Sequence, residues 1–346
     1  MSRESTPTTA TPSEISLCAI VRNESHSIRG MLLSVAGLVS EMVIVDTGST
    51  DNSREIAASE GARVESFSWS DDFSAARNYS VALATKPWIL VLDADERLDP
   101  SALPIIRQLI SKERSAFTAT RRHYVATPTE WGDTLPLSQD DPARASGATA
   151  YFSTHDIRLF PKDPSITFSG AVHESPEDSI RQAGLAFPRA EITIHHYGHL
   201  KSASDRQKKA EFYLSLAEKK ALASPDDWRT WYHLAVEQQA LGRHTDAISN
   251  FRRAIDLIDD FAPLWRQLGV SLYESGDLPG GLTAIRRAFE INDTCLITWG
   301  VLGQALLAVG DIDGAEACFK TILAQVSDSH VALRGIAEVA KCRTKL

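Results

Sequence analysis

Between residues 15 and 110 the apolar positions fall into short continuous runs separated by polar turns and amphipathic stretches. Ser16-Leu17-Cys18-Ala19-Ile20-Val21, Met42-Val43-Ile44-Val45, about Arg63 to Phe67, and Trp88-Ile89-Leu90-Val91-Leu92 read as strands. The last is rich in large side chains and reads as a strand buried on both faces, as in the middle of a parallel sheet. Helices are expected between them: one after Arg22-Asn23-Glu24-Ser25 reaching about Leu38, one after the turn Asp46 to Ser53, and one carrying Asp71 to Ser80. In the turn, Gly48 can take a positive φ, and Asn52 with Glu55 resembles a capping box. This alternation implies a right-handed, mostly parallel α/β sheet, whose ligands bind beyond the carboxyl ends of its strands. From about 117 to 200 the pattern weakens. Short strands are expected near Phe117 to Tyr124, Tyr151 to Phe160, Ile166 to Val172 and Ala190 to Tyr197. Between the first two lies a long polar loop containing Trp131, read either as an acceptor-side lid or as a plain surface insertion.

The remainder of the chain repeats itself. Trp231, Trp265 and Trp299 recur every 34 residues, as do Leu234, Leu268 and Leu302; Gly242, Gly276 and Gly310; Ala247, Gly281 and Ala315; and Phe251, Ile285 and Phe319. That is the tetratricopeptide period, a stack of helix hairpins in which small residues allow close approach and Trp and Leu fill between hairpins. The aromatics are thereby assigned to the core, not to base stacking or a cofactor. The expected organisation is a disordered tail over 1–14, an α/β domain over 15–200, a charged linker helix over 201–224, and three repeats with a cap helix over 225–346.

Composition narrows the partners. With 346 residues, 43% hydrophobic and 23% charged, the chain is ordinary soluble protein of two-domain size. A net charge of -9 argues against nucleic acid or an acidic membrane surface as partner, while leaving room for local basic sites. Cys18, Cys295, Cys318 and Cys342 show no ligand spacing and read as reduced thiols. No apolar run has membrane-spanning length and none resembles a signal segment, so a cytoplasmic location is expected.

The candidate chemistry lies where the buried run Trp88 to Leu92 stops on Asp93-Ala94-Asp95-Glu96. Along an extended backbone Asp93 and Asp95 point the same way, and small Ala94 permits close approach. Two such carboxylates repel, and each costs roughly several kcal/mol to desolvate unless compensated. A divalent cation would compensate both. The alternative is that Asp95 caps the next helix and Asp93 is solvated in a loop. Asn23-Glu24, Asp46 and Asp93-Ala94-Asp95 all fall at carboxyl ends of strands, which caps alone explain poorly. The single Gly48 is too little for a dinucleotide fingerprint or a P-loop.

Taken together, Ser16 to Glu24, Val43 to Asp51, Asp71 to Asn78 and Trp88 to Glu96 resemble family 2 glycosyltransferases of the GT-A fold. The resemblance is to the branch carrying C-terminal tetratricopeptide repeats, with a general layout similar to bacteriocin S-glycosyltransferases of the sublancin type. It covers about residues 15 to 200. It implies that Val21, Asn23, Glu24 and Asp46 hold the base and ribose of a nucleotide-diphosphate sugar. Arg77 would lie near the base or phosphate, and Asp93, also a nucleotide contact, would bind with Asp95 a Mn²⁺ or Mg²⁺ on the diphosphate. A UDP-sugar is the donor most in keeping with the family. The family's His-Tyr-Gly pattern matches His196 as a further metal ligand, imidazole being acceptable to Mn²⁺. Alternation puts His195 on the other face as a core histidine. Phe168-Ser169-Gly170-Ala171-Val172-His173-Glu174 resembles the segment that carries the catalytic base, making Glu174 the base candidate. Thr47 stands where many members have a second Asp and is not counted as a ligand.

The expected function is a metal-dependent inverting glycosyltransfer. The concave surface of the repeats fits a peptide or protein acceptor, or else a dimer or an assembly partner. The competing reading is a repeat scaffold whose sugar-nucleotide-like domain does not catalyse. The joint presence of Asp93, Asp95, Glu174 and His196 favours the enzyme.

Overall fold

The computed structural model describes residues 14–112, 114–127, 134–327 and 329–344. The expected disordered tail up to residue 13, and Trp131 of the long loop, lie outside the described residues. The chain forms two compact units. One runs up to Arg122 and adds Thr154–His196, and the other comprises His123–Ser153 and the chain from Tyr197 onward.

The first apolar runs form β1 (Ile15–Val21), β2 (Glu41–Asp46), β3 (Arg63–Ser66) and β4 (Trp88–Val91), connected by α1 (Ile28–Val35), α2 (Ser53–Ser59) and α3 (Phe73–Leu83). β1 pairs in parallel with β2 and β4, and β2 with β3. The strand period of two sorts their side chains. Ile15, Leu17, Ala19 and Val21 of β1 face a core shared with Met31, Leu32 and Val35 of α1, while Cys18 joins Val43, Ile89 and Val91 in a second core with Val81 of α3. Both faces are covered, which is why these strands read as continuous apolar runs. Register sets the functional edge: Val21 pairs with Asp46, and Asp46 with Ser66, so the loops leaving these strands start at one level.

Beyond β4 the sheet changes direction. β5 (Glu96–Leu98), β6 (Phe117–Val125), β7 (Leu135–Pro136), β8 (Ala150–Pro161) and β9 (Arg189–His196) follow, with α4 (Ala102–Lys112) and α5 (Glu177–Gln182) between them. The sheet order is β3-β2-β1-β4-β8-β6-β9-β5, with β7 on β8. β8 runs antiparallel to β4, and β9 antiparallel to β5, so the sheet is mixed.

The strand expected near Ile166 to Val172 does not form. Side chains take its backbone groups instead. Asn78 donates Nδ2 to the Phe168 carbonyl at 2.9 Å and accepts from the Phe168 N–H at 2.7 Å, and Ser179 does the same for Thr167 at 2.8 and 2.9 Å. Gly170 at φ 109° and His173 at φ 56° then turn the chain back on itself, closed by the Ser169–Ser175 bridge. The capping box at Asn52 is likewise absent: the Asn52 side chain makes no cap hydrogen bond, while its neighbour Asp51 accepts the Ser53 N–H at 3.0 Å.

The second unit holds the helices α6 (Ala203–Ala223), α7 (Trp228–Ala240), α8 (His244–Leu257), α9 (Ala262–Glu274), α10 (Leu278–Ile291), α11 (Leu296–Ala308), α12 (Ile312–Gln325) and α13 (His330–Arg343). The repeat is visible in its polar bonds. Nε1 of Trp231, Trp265 and Trp299 donates at 2.7 Å to the carbonyls of Pro225, Asp259 and Asp293, six residues earlier in each case. Gly242, Gly276 and Gly310 sit at φ 72°, 92° and 83°, ending the first helix of each hairpin in the left-handed region that favours glycine. Gly281 stands where the other repeats have alanine, because a Cβ there would lie 3.0 Å from the Gly269 carbonyl oxygen on α9.

Candidate active site

The loops after β1 and β2 are laced together. Asn23, at φ 56°, accepts from the Thr50 N–H at 2.8 Å, while its own N–H reaches Ser49 Oγ at 2.9 Å. The Glu24 N–H donates to Ser53 Oγ at 2.7 Å and the Ser25 N–H to Asp51 Oδ2 at 3.0 Å. Partial burial would raise the Asp51 carboxyl, but hydrogen bonds from Ser53 and Ser25 outweigh it and hold it down at about 2. Asp46 is buried and accepts from the N–H groups of Gly48 and Ser49 at 3.2 Å. Thr47, where a second carboxylate was not expected to act, donates Oγ1 to the Val21 carbonyl at 3.1 Å and so ties the β2 end to the β1 end. Val21, Asn23, Glu24 and Asp46 are thus brought to one edge.

Asp93 to Glu96 is a turn rather than a strand extension, closed by the Glu96 N–H on the Asp93 carbonyl at 2.9 Å. The two aspartates therefore take different partners. Asp93 Oδ1 lies 2.6 Å from Arg77 Nη2, and its Oδ2 lies 3.6 Å from Arg158 Nη2 and 3.9 Å from Arg121 Nη1. Burial works to raise the Asp93 carboxyl, but the three guanidinium groups hold it well below the usual carboxylate range. Glu96 is fully buried. Its Oε2 accepts the Asp93 N–H at 2.9 Å, and its Oε1 takes Arg158 at 2.9 Å and Arg121 at 3.3 Å. Burial pushes Glu96 up against the pull of Arg158, and Asp93 adds to the rise. Asp93, with its side chain 34% exposed, is therefore ion-paired rather than alone.

Glu174 arrives from the Ser169–Ser175 loop. Its Oε1 accepts from Arg77 Nη2 at 3.0 Å and Nε at 3.3 Å. Arg77 itself is 4% exposed, so the side chain expected beside the nucleotide lies beneath Asp93 and Glu174. Burial opposes its charge, yet Asp93 and Glu174 raise it above its ordinary value. Arg77 Nη1 and Arg158 Nε are buried without a hydrogen-bond partner.

Asp95 is placed by the turn and His196 by the β5–β9 register, in which His196 pairs with Glu96. The result is His196 Nε2 at 3.5 Å from Asp95 Oδ1, with Asp95 7% exposed. A carboxylate oxygen and an imidazole nitrogen so placed fit a divalent ion such as Mn²⁺. His195 faces elsewhere and pairs with Asp99 at 2.8 Å.

Residue reading alone did not single out Arg121, Arg158 or Glu96. The signal for Arg158 was present: a charge inside the apolar run Ile157 to Phe160 must be paired if that run is a buried strand.

Residues 16–169 match the sequence model of glycosyl transferase family 2, and residues 229–261 match that of the tetratricopeptide repeat. The N-terminal part is a glycosyltransferase family 2 domain. A tetratricopeptide-repeat region follows it. Among curated proteins, a TPR repeat-containing protein of Synechococcus elongatus is 37% identical over 209 residues, 58% of this chain and 46% of its own length. The SPbeta prophage-derived glycosyltransferase SunS of Bacillus subtilis is 26% identical over 239 residues, 68% of this chain and 52% of SunS. An uncharacterized glycosyltransferase of Rickettsia felis is 35% identical over 85 residues, 25% of this chain and 30% of that protein. The chain spans about half the length of the first two. For the family 2 domain, the fold class is the α/β GT-A arrangement ahead of an all-α repeat region, as the motifs implied. Among the described residues no helix is long and apolar enough to cross a membrane.

Proposed function

We propose that the protein is a metal-dependent, inverting glycosyltransferase that moves a hexose-type sugar from a nucleotide-diphosphate sugar, most in keeping with a UDP-sugar, to a peptide or protein acceptor selected by the repeats. The observation that carries this reading is the convergence of Asp93 and Glu174, 16 and 97 residues from Arg77 in sequence, on a single nitrogen of that arginine. These pairs gather on a buried arginine near Asp95 and His196 in the chain's candidate site, and perturbed charges in a buried cluster mark functional sites. In this reading the loops at Val21 to Glu24 and at Asp46 receive the nucleoside. Glu174 Oε2, which has no hydrogen-bond partner among the described residues, accepts the acceptor's proton as that group attacks the anomeric carbon from the face opposite the leaving diphosphate.

Asp95 and His196 are the principal anchors for Mn²⁺ or Mg²⁺, since a divalent ion beside Asp93 would meet three guanidinium groups. When bound, the ion neutralises charge developing on the diphosphate. Asp93 contributes by its charge and by fixing the arginines. The four cysteines are free thiols, in keeping with a cytoplasmic enzyme. Calorimetry of sugar-nucleotide binding with Mn²⁺ and with chelator tests the donor half of this reading. Binding that requires the metal is expected, and equal affinity in chelator would count against it.

A further inference from the structure

Arg77 is exceptionally well placed for a residue that does not reach the surface. It sits on α3, whose start is capped by Asp72 Oδ1 accepting from the N–H groups of Ser74 and Ala75 at 2.8 and 3.2 Å. Its neighbour Asn78 holds the Phe168 backbone from both sides, and the Phe73 N–H donates to the Ala171 carbonyl at 3.0 Å. The loop carrying Glu174 is thus fastened to the helix carrying Arg77 at two further points. The Phe168 ring lies 6.0 Å from the guanidinium carbon. Arg77 spends Nη2 and Nε on one oxygen of Glu174, Oε1, and the same Nη2 on Asp93 Oδ1.

We infer that Arg77 is not a donor ligand but the positioning residue of the base: Asp93 fixes the guanidinium, the guanidinium fixes Glu174 through Oε1, and Oε2 is left as the oxygen that meets the acceptor. This rests on the reading of Glu174 as base. It follows the logic of a base oriented by a third group, with an arginine as the intermediary. An orienting residue contributes through geometry, and misplacing a reacting group by about 1 Å can cost about 10²-fold in rate. A diphosphate ligand would contribute through donor affinity instead, and the buried Nη1, which has no partner, is the atom through which Arg77 could do that.

The test uses the full chain carrying Arg77→Met, Arg77→Lys, Glu174→Gln, and Glu174→Gln combined with each Arg77 change. Donor Kd, transfer kcat and thermal unfolding are measured for each. Arg77→Met is expected to lower kcat by about 10²-fold with donor Kd within about threefold, and Arg77→Lys to recover part of the loss. In the Glu174→Gln background either change is expected to cost less than about threefold in residual transfer, because the group it orients is already gone. If Arg77→Met fails to fold, the lysine pair carries the same comparison. Donor affinity weakened as much as kcat/KM, with losses that multiply in the double variants, would overturn this inference alone. Full transfer by Glu174→Gln would overturn both it and the base assignment beneath it.

Discussion

The two units differ in the polar bonds that characterise them. In the repeat unit the bonds that recur are local: the Trp Nε1 donors reach carbonyls six residues earlier, and Asp277 and Asp311, 34 residues apart, each accept from the first turn of the helix they precede. In the family 2 unit a long-range, unrepeated ion-pair cluster stands out, with Arg77, Arg121 and Arg158 drawn from α3, β6 and β8 onto Asp93, Glu96 and Glu174. Local recurring bonds set the register of a stack. Long-range charge clusters cost desolvation on folding and are retained where they do chemistry. Changes to the first set are therefore expected to show in stability and changes to the second in activity, and each expectation can be broken separately.

The largest effect is expected at the base. Glu174→Gln should leave donor binding near normal and cut transfer by roughly 10² to 10⁴; equal loss of both would make Glu174 a structural group. Asp95→Asn keeps shape but removes charge, and should lower turnover by about 10²-fold and weaken the response to Mn²⁺, read from a metal titration of the rate. Asp93→Asn should change that metal response less than Asp95→Asn does, which separates the two carboxylates of the turn. In the repeat unit the expected readout is stability. Gly281→Ala forces a Cβ against the Gly269 carbonyl and should destabilise by about 1 to 3 kcal/mol in denaturant unfolding. Trp265→Phe removes one recurring donor and should cost about 1 kcal/mol while leaving donor binding unchanged. The smallest effect is one of pH. Since the Asp51 carboxyl is held down at about 2 against an ordinary value of about 3.9, its contribution is complete above that ordinary value and is lost as pH falls through about 2. Asp51→Asn should flatten that part of the acid-unfolding curve.

The same contrast explains what could be read from the sequence. The hairpins were legible because their determinants lie within one period, as Trp265 and Gly276 show, and the parallel strands because burial on both faces makes continuous apolar runs. The direction of the later strands was not legible, nor was the loss of the strand near Ile166, since side chains of Asn78 and Ser179 distant in sequence take over its backbone bonds. At the site, residue types and edge position were readable, and Glu174 required the family resemblance. The arginine partners were not, because Arg121 and Arg158 become neighbours of Asp93 only when β8 lies beside β4. The turn at Asp93, which separates the partners of the two aspartates, reflects the Glu96 side chain folding back on the Asp93 N–H.

The most direct measurement is release of nucleotide diphosphate across a panel of sugar nucleotides in Mn²⁺, comparing the full chain with the Asp95→Asn, Glu174→Gln double variant. The account predicts that the unaltered protein consumes one donor class well above background, that chelator stops it, and that the double variant falls to background while its repeat unit stays folded. No donor consumed, or a double variant indistinguishable from the unaltered protein, would contradict it and leave a repeat scaffold with an inactive sugar-nucleotide fold.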